Sequence, residues 1–222
     1  LLNCKSAEQI VRQIADVEID DKISFVIKKT EEIMEDSEYQ GVRLSLDAYL
    51  DKTRIPLKID ISTGDVITPC EISFSYQLMF ENRTIPLLAY PPETVLAEKL
   101  ETILSRGEAN TRLRDFYDVY ILQREDFVVT PDALRYALLA TCRKRGHEDL
   151  LHTYASILDR VRQSDTMRTQ WMKYQSDFDY AAGITWDTVL DTVETLCMKT
   201  LDDHAFGDEL PQEESQFEMH LL

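Results

Sequence analysis

Three groups of polar residues in this chain have the types and spacing to handle a charged substrate. Lys58 and Asp60 sit two apart in the alternating run Ile55-Pro56-Leu57-Lys58-Ile59-Asp60-Ile61-Ser62. On a strand both would point the same way, about 7 Å apart, with Ile55, Leu57, Ile59 and Ile61 forming a buried face behind them. A carboxylate so placed can hold a divalent cation, and a lysine can meet a phosphate as a point charge. Spacing alone fits a solvated sheet edge better. Lys99, in Glu93-Thr94-Val95-Leu96-Ala97-Glu98-Lys99-Leu100, could neutralise a triphosphate, although one lysine on one helix is more often paired with a neighbouring acid. In Arg112-Leu113-Arg114-Asp115-Phe116-Tyr117-Asp118, the two aspartates are three apart and share a helix face. They could bind metal, orient a lysine or act as base. They could equally complement a helix dipole, with Arg114 as a surface partner. His147, His152, His204 and His220 form no pattern with the cysteines, so neither a catalytic histidine nor a zinc site is expected.

The elements that must carry these residues change character along the chain. The stretch Ser6-Ala7-Glu8-Gln9 before Ile10, Val11 and Ile14 has the look of a helix start capped at Ser6. Strands are predicted around Ile23–Ile27, Val42–Ala48 and Ile55–Ser62, with shorter ones near 71–76 and 84–89. From Pro91-Pro92 onward the period becomes helical, first to Arg106-Gly107 and then from about Thr111. Beyond residue 126 only helices are predicted. Thr130-Pro131-Asp132 opens one that ends in Arg143, Lys144 and Arg145 before Gly146, in keeping with the dipole at both ends. Others fall near 149–163, 165–175 and 185–200. The organisation expected is therefore α+β over 1–126, an all-helical domain over 127–201, and an acidic, mobile tail over 202–222. That tail holds Asp202, Asp203, Asp208, Glu209, Glu213, Glu214 and Glu218 with no lysine or arginine.

Composition narrows the function classes. The net charge is -17, with 15 Lys/Arg against 24 Asp/Glu over 1–126 and 9 against 17 beyond. Broad nucleic-acid binding rests on cations neutralising phosphates, so a non-specific DNA or RNA binder is disfavoured, whereas an enzyme with one local basic patch is not. No apolar run approaches the roughly 20 residues of a membrane span. Cys4, Cys70, Cys142 and Cys197 lie far apart and read as reduced thiols of a cytoplasmic protein.

Taken together, the motifs resemble a known family. The stretch LLAYPPETVLAEKLETILSRGEANTRLRDFYDVYIL (87–122) closely resembles the later motifs of the abortive-infection AbiE-type toxin nucleotidyltransferases (AbiEii/AbiGii-like), and RIPLKIDISTGD (54–65) resembles an earlier one. The resemblance implies a polymerase β-type nucleotidyltransferase fold, a mixed sheet flanked by helices and followed by a helical domain. It implies a phage-defence toxin that moves a nucleotide from a nucleoside triphosphate (NTP) to an acceptor, tRNA 3′ ends in related members, with Mg2+ and a cognate antitoxin. The motifs match at Lys58, Asp60, Lys99, Arg114, Asp115 and Asp118. By that match Asp60 is a metal or base carboxylate, Lys99 the triphosphate contact, and Asp115 with Asp118 the support of Lys99 and the nucleotide. Arg114 is expected to point away from Lys99, toward the acceptor side. The family's opening Gly turn and paired aspartates have no counterpart before Asp60. The expectation is that they lie upstream of Leu1 and that this chain is at best weakly active. A non-catalytic relative serving as an antitoxin-binding or nucleotide-sensing module is the alternative.

Overall fold

The computed structural model describes residues 3–19, 21–33, 41–124 and 129–202. They fall into two compact units that divide between Asp65 and Val66. The architecture is α+β: antiparallel sheets come first and a helical region follows.

In the first unit, helix α1 (Cys4–Ala15) precedes strands β1 (Ile23–Ile33), β2 (Gly41–Leu50) and β3 (Thr53–Ser62), which pair antiparallel in the order β1-β2-β3. The start of α1 corrects the expectation at Ser6. Asn3 is the cap: its side chain accepts from the Ser6 amide at 2.9 Å while Ser6 Oγ accepts from the Asn3 amide at 3.0 Å. Ser6 is thus the third helical residue, answering the cap rather than being it. Asp51 and Lys52 make the two-residue turn between β2 and β3, and Asp51 takes a positive φ of 51°, which aspartate tolerates better than most residues.

Register explains a second correction. Val42, Leu44, Leu46 and Ala48 lie opposite Ile61, Ile59, Leu57 and Ile55, so one apolar face runs across β2 and β3 as the alternation requires. Helix α1 packs on β1 and β2, and the buried cluster is Ala7, Val11, Val42, Leu44 and Leu46, with Ile61 at its margin. Strand β3 lies beyond that cover. Ile55 is 53% exposed and Ile59 is 38% exposed, so the face expected to be buried behind Lys58 and Asp60 is largely open.

The second unit begins with the antiparallel hairpin β4 (Ile72–Gln77) and β5 (Thr84–Ala89) and continues with α2 (Pro92–Arg106), α3 (Leu113–Leu122), α4 (Pro131–Lys144), α5 (Leu150–Gln163), α6 (Asp165–Asp177) and α7 (Trp186–Leu201). Pro92 occupies the first turn of α2, and α4 opens with the Thr130 hydroxyl accepting from the Ala133 amide. One hydrophobic core joins all six helices, with Leu96, Leu100, Phe116, Leu138, Trp171, Trp186 and Leu190 among its members. Burying side chains of this size stabilises by roughly 1.5–3 kcal/mol each, an upper range set against ordering entropy. The buried Glu101 of α2 accepts from Arg145 and lies 2.7 Å from His147 Nδ1, tying α2 to the end of α4. The predicted acidic tail falls almost wholly on 203–222, outside the described residues. Asp202 alone is described, and it caps α7 and accepts from the Tyr154 hydroxyl at 2.6 Å. Among the described residues no helix is long and apolar enough to cross a membrane.

Candidate functional site

Helices α2 and α3 bring together three of the residues singled out above. Leu96, Leu100, Ile103 and Leu104 turn one side of α2 into the core and leave Lys99 on its flank. The chain then reverses through Gly107, at a φ of +48° that suits glycine, and through the fully buried Asn110, whose Oδ1 accepts from the Arg112 amide at 2.8 Å. That reversal lays α3 beside α2. Leu113, Phe116 and Val119 enter the core, and the positions between them, Asp115 and Asp118, meet Lys99.

Lys99 Nζ donates to Asp118 Oδ2 at 2.6 Å and to Asp115 Oδ1 at 3.5 Å. An ammonium has three protons to donate, so one remains beyond these two contacts. Asp115 is buried, and Arg112 covers it: Nε lies 2.9 Å from Oδ2, close enough for a charge contact but without the alignment of a hydrogen bond. Arg114 departs from expectation. Its Nε lies 3.7 Å from Asp118 Oδ2, because residues four apart on a helix stack on one face, so Arg114 turns toward the lysine cluster rather than away.

The cluster opens into a cleft of about 660 Å³, lined by Lys99, Arg112, Arg114, Asp115 and Asp118 from one side and by Gln170, Lys173, Tyr174, Asp177 and Phe178 from the other. Four cations face three carboxylates there, a local positive excess in a chain of net charge -17. The α6 residues were missed in the sequence. Their only signal is Lys173 and Tyr174 beside Phe178, aromatics one helical turn apart and some 60 positions from Asp115.

Lys58 and Asp60 belong to the first unit and share one face of β3. Asp60 is gripped by Arg43, its register partner on β2, through Nε–Oδ1 and Nη2–Oδ2 contacts of 2.7 Å each. Those two hydrogen bonds hold the Asp60 carboxyl below its ordinary value and occupy both oxygens. Each Asp60 oxygen keeps a second lone pair and the side chain is 48% exposed, so the carboxylate can still ligate the magnesium implied by the resemblance. Asp115 and Asp118 already hold Lys99, and among the described residues no three His, Cys, Asp or Glu side chains gather as a metal site.

Compared with known proteins, residues 5–192 match a family model described as nucleotidyl transferase AbiEii toxin, type IV TA (toxin–antitoxin) system. No curated protein and no solved structure matches the chain.

Proposed function

Because the chain belongs to the AbiEii family of nucleotidyl transferase toxins of type IV toxin–antitoxin systems, we propose that its Lys99–Asp115–Asp118 cleft takes the triphosphate of an NTP for transfer to an RNA acceptor. The observation that carries this reading is the pairing of Lys99 with two aspartates at the wall of a cationic cleft. Asp115 and Asp118 hold the ammonium in place, and its remaining proton can meet a phosphate oxygen. Arg112, Arg114 and Lys173 add the field that draws a polyanion in.

In the reaction an acceptor hydroxyl oxygen bonds to the α-phosphorus and the bond from that phosphorus to the α,β-bridging oxygen breaks. Pyrophosphate leaves with the electron pair, and the hydroxyl proton passes to solvent. Positioning and charge neutralisation supply the acceleration in such transfers, and Lys99 neutralises the charge gathering on the leaving group. The acceptor proposed is tRNA, and the setting is the cytoplasm, in keeping with four free cysteines, with a cognate antitoxin as partner and phage defence as the role. For Lys58 and Asp60 the proposed roles are a phosphate contact and a metal or base carboxylate.

The test is transfer of label from α-labelled NTPs to total RNA, by a parent that carries the family's Gly turn and paired aspartates restored upstream. Lys99→Ala and Asp118→Ala should each abolish transfer at unchanged helix content, and Asp60→Asn should lower it. Transfer by both alanine variants at the parent rate would refute the assignment.

A further inference from the structure

The aromatic wall of the cleft has no part in holding Lys99. Tyr174 and Phe178 both line the cavity, their ring centroids 4.7 Å apart and their planes tilted by 45°. Behind them Trp171, almost wholly buried, stacks on Tyr174 at 5.3 Å and 23°, and its indole N–H donates to the Ile184 carbonyl at 2.8 Å. Tyr180 braces the other side. Its hydroxyl is 2.9 Å from that of Tyr174, and its ring stacks on Phe178 at 5.4 Å and 29°. The platform is thus held from both sides, yet Phe178 remains 41% exposed.

We infer that the aromatic wall of Tyr174 and Phe178 is the surface on which the base of the bound NTP stacks. This rests on the reading of Lys99 as the triphosphate contact. Every nucleobase offers a π-face, and stacking on aromatic side chains contributes about 1–3 kcal/mol per base. The same cleft supplies cations for the phosphates, and its volume lies within the roughly 300–1,000 Å³ of small-molecule sites. A mononucleotide fits the charge better than a nucleic-acid strand. A strand needs cations along a track, and here the excess is one charge in a strongly acidic chain.

The experiment titrates the full chain with the four NTPs and, separately, with inorganic tripolyphosphate, which keeps the phosphates and lacks the base. Phe178→Ala should weaken NTP binding about tenfold and leave tripolyphosphate binding unchanged. Lys99→Met should weaken both ligands, and a thermal melt guards against loss of fold. Equal NTP affinity in Phe178→Ala and parent would overturn the platform while leaving the Lys99 reading standing. So would a loss confined to a single-stranded RNA oligomer, which would make the wall a strand contact. Unchanged affinity of Lys99→Met for both ligands, or no binding by the parent, would overturn the two readings together.

Discussion

Replacing Arg145 with methionine should test how firmly α2, the helix that carries Lys99, is held in place. Arg145 donates to Glu101, whose side chain is only 3% exposed, and His147 Nδ1 lies 2.7 Å from the other Glu101 oxygen. Removing one partner of a buried ion pair costs about 3–5 kcal/mol, because the remaining charge is left without compensation. Here His147 stays in place and Arg145 itself is partly exposed, so the lower end applies, about 3 kcal/mol. For a protein of this length each kcal/mol moves the melting temperature by about 2–4 °C, so the fall should be about 6–12 °C. Adding Glu101→Gln should recover part of the loss, since neither charge then remains buried. Urea and thermal unfolding followed by circular dichroism measure both steps. An Arg145→Met variant within about 0.5 kcal/mol of the parent, or a double variant less stable than it, would refute this account of the contact.

Other outcomes follow from the same geometry. Burial pushes the thiols of Cys142 and Cys197 up to about 12, so at pH 8 a thiol reagent should label the exposed Cys70 in the native protein and reach those two only after denaturation. Leu44→Ala, in the α1–sheet cluster, should cost about 2–5 kcal/mol, whereas Ile59→Thr on the open part of the same face should cost under about 1 kcal/mol; equal losses would show that β3 is covered. Arg43 depresses the Asp60 carboxyl, so its contribution to stability is present above the ordinary aspartate value of about 3.9 and is lost as pH falls through the depressed one. Arg43→Met should return Asp60 to a higher value in a carboxyl-carbon NMR titration, and an unmoved titration would dismiss the pair.

What could be read in advance depended on whether a signal was local. The alternation at 55–62 specifies a strand and which side chains share a face, because pleating is a property of the strand itself. Whether that face is covered depends on where α1 lands, and α1 settles over β1 and β2, which no periodicity announces. The cap of α1 was misread for a related reason: Asn3 and Ser6 both suit a cap, and the reciprocal bonds decide between them. Asp115 and Asp118 were legible as a pair from their spacing, and the resemblance joined them to Lys99. Arg43 and Gln170 carried no signal, since one reaches its partner through cross-strand register and the other lines a cleft formed by helices distant in sequence.

The central claim is that Lys99, held by Asp115 and Asp118, receives the triphosphate. The most direct measurement is a crystal structure of the chain with an NTP analogue whose α,β-bridging oxygen is replaced by methylene. The expected result is a phosphate oxygen within roughly 3 Å of Lys99 Nζ, with Asp115 and Asp118 still flanking the ammonium. An analogue bound away from the cleft, with Lys99 touching only its two aspartates, would contradict it.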